Sequence, residues 1–240
     1  VVMRRWRRPS AFAWILLLLG LAAFLGLARW QWGRAQEKER LLASYAAAAT
    51  APLRQYATLP AALSAEEYPR IAARGAYVDG RGYWLDQQIH AGRVGRRALA
   101  VFRPSGDDRL LLVDLGWVAA PVGAPAPAWP PLPAGEVELR GIYAPPPGGG
   151  LRVGGDALAR QNAWPKLTLF LDMAAVAADL HAAVAPRLLL LDADPSSGLV
   201  REWTPAVMAP EKHRGYALQW FSFAVAAMVI FIVLHWRKSN

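Results

Sequence analysis

The chain has 240 residues, 55% of them hydrophobic and 19% charged, with a formal net charge of +9 and no cysteine. That balance is more apolar than an ordinary soluble domain, so part of the chain belongs in lipid. The absent thiols exclude a thiolate copper carrier, a disulfide oxidoreductase and a cysteine-based zinc site. The charge does not argue for nucleic acid: Arg4, Arg5, Arg7, Arg8, Arg237 and Lys238 sit at the two ends and leave the middle close to balanced.

Residues 1–10 read as a basic tail and 11–30 as a first transmembrane helix. The uncharged run from Ala11 to Ala28 makes about 27 Å of helix, close to the thickness of a bilayer core. A secretory signal peptide is the competing reading, with Gly26-Leu27-Ala28 as a small-residue cleavage site. The length of the run and its unbroken passage into a helical pattern favour a retained span. Helical periodicity continues to about Ala49 and puts Trp30, Arg34 and Lys38 on one face. On periodicity alone a solvated amphipathic stub is the favoured reading of that face.

Residues 31–212 read as an extracytoplasmic α+β domain, an antiparallel sheet or small barrel of about six strands. Two alternating segments, 70–78 and 81–90, flank Asp79-Gly80, a hairpin signal. Residues 96–102 follow, then a turn at 104–108. The segment "RLLLVDLGWV" puts Leu111, Val113, Leu115 and Trp117 on one strand face. A proline-rich loop covers 121–136. Alternation resumes at 136–143, a second loop spans 145–156, and 164–171 is a candidate strand. Asp172 is placed to cap a short helix, and "PRLLLLDAD" reads as a buried strand.

Residues 213–236 form the second apolar span and 237–240 a short tail. Tryptophans near the span boundaries fit the headgroup layer. Arginine and lysine counts at the span ends tie, but the short tail and long middle segment favour both termini inside and the middle outside.

Catalytic signatures are missing: there is no nucleophile elbow, no zinc-protease motif and no phosphate-binding loop. The four histidines at 90, 181, 213 and 235 are too far apart in sequence for a two-histidine metal site on one helix. His213 stands out by position. With Tyr216 and Trp220 it falls at i, i+3 and i+7, with Gln219 beside it and Lys212 and Arg214 flanking. A neutral imidazole there can ligate haem iron, rings can cover a macrocycle, and Lys212 or Arg214 can meet propionates. An interfacial anchor uses the same residues and asks less of them. Both readings stand on the residues alone.

The segment "LARWQWGRAQEKERL" resembles the opening motif of the Surfeit locus protein 1 family, with Leu27, Trp30, Gln31, Arg34 and Lys38 matching and Ala28 in place of a glycine. "LLLVDLGWV" resembles the family's central strand through Val113, Gly116, Trp117 and Val118; Asp114 and Leu115 replace an Asn-Arg pair. "HRGYALQWF" resembles its closing motif through His213, Tyr216 and Trp220. The resemblance implies a non-enzymatic assembly factor for haem–copper cytochrome c oxidase that helps haem a reach the catalytic subunit. Expected partners are oxidase subunit I, a haem a synthase and the bilayer. The implied ligand set is His213 on the iron, with Tyr216, Trp220 and Arg214 around it. Trp30, Gln31, Arg34, Lys38, Gly116, Trp117 and Gln219 are carried over as structural or partner-contact residues. A ligand-free membrane-anchored envelope scaffold is the alternative. No transit segment precedes the first span, which points to a bacterial inner membrane with the central domain in the periplasm. The family arginine is replaced by Leu115, expected on the same face as Trp117.

Overall fold

A computed structural model describes residues 4–60, 62–64, 66–147, 158–203, 205 and 207–238. In chain order the elements are β1 (Arg4–Trp6), α1 (Ala11–Ala48), β2 (Arg54–Gln55), β3 (Arg70–His90), β4 (Arg93–Pro104), β5 (Leu110–Ala119) and β6 (Glu136–Ala144). They continue with β7 (Lys166–Thr168), α2 (Met173–Leu180), β8 (Val184–Leu191), α3 (Pro210–His235) and β9 (Trp236–Lys238). The chain divides into two compact units, one running to Leu42 and resuming at Val207, the other covering Ala43–Ala206.

The first unit is a pair of long helices. Ser10 caps α1 by accepting from the Ala13 N–H at 3.2 Å. Beyond the apolar run, alanine, leucine, glutamate, lysine and arginine are strong helix formers, so α1 continues without interruption to Ala48. Pro52, which has no N–H to donate, lies just past its end. Pro210 opens α3 at a position where that missing N–H costs nothing. Both helices are long and apolar enough to cross a membrane. They leave Phe12, Leu16, Leu19, Leu218, Val233 and Leu234 exposed, apolar surface of the kind that lipid satisfies better than water.

The helices meet along a narrow seam. On α3 the buried positions are Pro210, His213, Ala217, Ala224 and Phe231, spaced as the inward positions of a heptad pattern. On α1, Leu17 and Ala35 are buried. The rings run in antiparallel order: Trp14 lies 4.8 Å from Phe231, and Phe24 lies 6.1 Å from Trp220 and 5.8 Å from Phe223. At the chain ends β1 pairs antiparallel with β9.

The second unit is a closed barrel. Hydrogen-bonded neighbours follow the circuit β3–β4–β5–β8–β6, and β6 pairs back onto β3. The small-barrel reading therefore holds, but the sheet is mixed. β8 runs parallel to β5 and antiparallel to β6, while β2 and β7 lie parallel to β3. The antiparallel expectation is corrected. A parallel pair needs a long crossover, which here contains β6, β7 and α2.

Two local readings also change. Asp79-Gly80 is not a hairpin. Residues on both sides of it pair antiparallel with β4, so 70–90 form one strand whose register jumps between Tyr77 and Gly82. Residues 78–81 bulge out against one residue of β4, and Gly80 takes φ +63° there. The second correction concerns β5. Ala98 pairs with Gly116 while Leu99 pairs with Asp114, leaving Leu115 as an extra residue. That bulge keeps Leu115 with Leu111 and Val113 in the barrel core and turns Trp117 to the opposite face, where it pairs with Arg97. The two residues were expected on one face and are not.

The core lies inside the barrel, around Ile71, Trp84, Phe102, Leu111, Val113 and Leu189. Side chains on the other barrel face, Tyr83, Leu99, Val101, Leu112 and Leu188, are also buried. Over part of that face lies α2. Its Val176 is fully buried, and its Asp179 accepts from Tyr83 Oη at 2.9 Å. Asp172 caps α2 as expected, accepting from the Ala174 N–H at 2.9 Å. The candidate strand at 164–171 is realised only over Lys166–Thr168. From residue 148 on, the loop read at 145–156 lies outside the described residues.

Candidate functional site

The seam that joins α1 and α3 buries one imidazole. His213 is 8% exposed, and its Nδ1 lies 2.7 Å from Oε1 of Gln31. An amide oxygen accepts only, so Nδ1 carries the proton in this pair. Nε2 makes no hydrogen bond among the described residues, and in the neutral ring it carries the lone pair. A histidine oriented through one nitrogen and open at the other is the usual arrangement of a metal-ligating imidazole. A residue 182 positions away in the chain thus sets the tautomer.

Around this contact the carried-over residues separate into roles. Trp220 is half-buried and stacks on Phe24, with the rings 22° apart. Tyr216 is exposed on the flank of α3, and Gln219 is exposed one residue before Trp220. Arg214 is ion-paired with Glu39 across the two helices. Lys212, also exposed, has no ion-pair partner among the described residues and is the more available cation. On α1, Arg34 Nη1 lies 2.6 Å and Lys38 Nζ 3.2 Å from Glu37 carboxylate oxygens. Trp30 is exposed. The i, i+3 spacing of Arg34 and Glu37 announces their pair in the sequence, whereas Glu39 was not singled out there. Glu39 carries no such local signal, because its partner Arg214 lies on the other helix.

Gly116 and Trp117 belong to the barrel unit. Gly116 takes φ +129° within the bulge, and a Cβ there would lie 2.8 Å from Leu199 Cβ. Trp117 donates its indole N–H to the Gln88 carbonyl at 2.8 Å, and its ring fills the space over Gly95, where a Cβ would come within 2.4 Å of it. Together they lock β5 against β3 and β4. Asp114 accepts from Arg97 Nε at 2.6 Å and from the Gly116 N–H at 2.9 Å. Both partners of that ion pair are nine-tenths or more buried at the side chain. Leu115 itself puts its side chain in the core, and its carbonyl accepts from Arg201 Nε at 3.1 Å.

Among the described residues, no group of three or more His, Asp or Glu side chains gathers that could hold a metal ion. An anchor of two membrane-length helices, carrying a small barrel and a buried histidine at the helix seam, defines a membrane-anchored binding or assembly module. Comparison with known proteins narrows this. The chain belongs to the SURF1 family, whose model matches residues 18–225, a family of cytochrome c oxidase assembly factors rather than known enzymes. A SURF1-like protein of Monosiga brevicollis is 22% identical over 251 residues, covering 98% of this chain and 91% of the relative.

Proposed function

We propose that this chain serves haem–copper cytochrome c oxidase assembly by taking up haem a at the seam of α1 and α3 and passing it to the catalytic subunit. The observation that carries this reading is the Gln31–His213 contact, which orients the ring through Nδ1 and leaves Nε2 without a hydrogen-bond partner among the described residues. Haem a, when bound, supplies the iron for that nitrogen. This chain's own residues do the rest. Gln31 holds the proton on Nδ1, and Trp220 with Phe24 offers an aromatic surface. Tyr216 lines the open flank, and Lys212 supplies a cation for a propionate. Arg214, held by Glu39, serves the helix pair first. In this reading the anchor lies in a bacterial inner membrane, the barrel faces the periplasm, and subunit I and a haem a synthase are the partners.

The test is spectroscopic. The protein is purified in detergent from a host that makes haem a, as wild type and as His213→Ala. A haem band in the wild type that disappears in the variant supports the reading. An equal band in both removes His213 from the ligand role, and absence of haem from both leaves a ligand-free scaffold. Loss of the gene with a normal haem a signal in the oxidase would remove the assembly role altogether.

A further inference from the structure

The barrel unit contains a second, chemically different site. A cavity of about 500 Å³ opens beside β5, β6 and β8. Three arginines line it, Arg70, Arg97 and Arg201, against two aspartates, Asp114 and Asp192. The remaining wall is apolar and aromatic, with Tyr45 and Trp203 packed edge to face at 5.0 Å and Ile142 and Leu190 beside them.

The arginines are not used up by their partners. Arg97 spends Nε on Asp114 and Nη1 on the Glu202 carbonyl. Arg201 gives Nε to the Leu115 carbonyl and Nη1 to the Asp192 carbonyl, with Asp194 3.6 Å away. Arg70 donates from Nη2 to Asp192 at 2.6 Å, and its Nε is buried without a partner. Among the described residues, Nη2 of Arg97, Nη2 of Arg201 and Nη1 of Arg70 make no hydrogen bond. A guanidinium has five N–H donors in a fixed fork. Three incomplete forks around one cavity, one with a buried orphan N–H, are a polar demand that the protein itself does not meet. Each arginine has an acid within ion-pair distance, Asp114, Asp192 or Asp194, yet each keeps N–H groups that no acid answers.

We propose that this cavity binds an oxyanion, a carboxylate or phosphate, carried on an apolar body. The arginine forks take the oxygens in charge-assisted pairs, and Tyr45, Trp203 and Ile142 take the apolar part. Asp192 is the internal competitor, since it occupies Arg70 when the cavity is empty of ligand. Two sources fit the chemistry, an anionic phospholipid headgroup and a porphyrin propionate. The proposal does not depend on the His213 reading, because a metal-free porphyrin needs no axial ligand.

The experiment titrates the full-length chain in detergent with two probes, a short-chain phosphatidylglycerol and protoporphyrin IX. Phosphatidylcholine and the porphyrin dimethyl ester serve as neutral counterparts. Saturable binding of either acid, at least tenfold tighter than its neutral counterpart and weakened by salt, is expected, and which probe binds identifies the source. The double variant Arg70→Gln/Arg201→Gln weakens that binding about tenfold. Asp192→Asn, which frees Arg70, tightens it severalfold, a gain that a damaged fold does not produce. Equal binding of acid and neutral probes, no saturable binding of either acid, or weaker binding by Asp192→Asn would overturn the proposal.

Discussion

His213 Nδ1 and Gln31 Oε1 lie 2.7 Å apart across the α1–α3 seam, and this contact joins the opening and closing motifs of the chain. Removing it by Gln31→Ala leaves the ring without its orienting acceptor. Partners that orient a metal-ligating histidine typically contribute 10- to 100-fold to affinity. Haem retained per protein by Gln31→Ala is therefore expected to fall about tenfold, with Gln31→Glu retaining more. The absorption spectrum of the purified variants reads this directly. Haem retention by Gln31→Ala equal to wild type would separate the contact from ligand binding.

Gly95 and Trp117 make a second test. A Cβ at Gly95 would lie 2.2 Å from the Val118 carbonyl oxygen and 2.4 Å from the indole, and backbone cannot step aside as a flexible side chain does. Gly95→Ala is expected to destabilise the barrel by about 2–3 kcal/mol, the upper range for overpacking. Gly92→Ala, in a turn at φ +74° with open space around it, should cost about 1 kcal/mol. Thermal unfolding in detergent ranks the two, and the reverse order would contradict the packing described here.

The Arg97–Asp114 pair is nearly dry, with 10% and 2% of the side chains exposed. Arg97→Met alone strands a buried carboxylate and should cost about 3–5 kcal/mol. Arg97→Met/Asp114→Leu removes both charges and should recover much of that loss, because the desolvation penalty goes with them. Denaturant midpoints of the two proteins measure the difference. Equal midpoints for single and double variants would mean that the pair is not buried.

Acid should weaken the barrel through Asp107. The hydrogen-bonded guanidinium of Arg109 holds this carboxyl below the usual aspartate range, against a smaller opposing effect of burial. The pairing is bidentate, with Arg109 Nη2 2.7 Å and Nε 3.2 Å from Oδ2 and Oδ1 also engaged. A group depressed in the folded state contributes its full stability above the unfolded value, about 3.9. It loses that contribution as pH falls through the lower folded value. Unfolding midpoints measured from pH 6 to pH 3 should therefore fall less steeply for Asp107→Asn than for wild type. Parallel curves would show that Asp107 carries no such linkage.

Much of this was legible because it is local. Apolar runs of span length, the aspartate before α2, and alternating strands each write themselves into a few consecutive residues. What escaped were features set by partners distant in the chain. Asp79-Gly80 has hairpin chemistry, but β4 pairs with the residues on both sides of it and keeps them in one strand. Leu115 alternates correctly with Leu111 and Val113; only the extra residue opposite Ala98 moves Trp117 across. No sequence period announces that β8 would lie parallel to β5. At the helix seam, the sequence pointed to both motifs but not to Gln31 as the partner of His213. Arg70, Arg97 and Arg201 looked unremarkable because their grouping depends on the barrel closing.

That closure has a temporal side. The strand that seals the circuit, β8, is the last of its members to be made, and it occupies the gap between β5 and β6. A ribosome that has reached residue 180 has released four of the five circuit strands with β5 and β6 each presenting a raw backbone edge. Such edges recruit other chains. The nascent polypeptide therefore passes through a window in which it is vulnerable to sticking, and the leucine run 188–191 ends it. A chain truncated before that run should aggregate rather than persist as a shortened barrel.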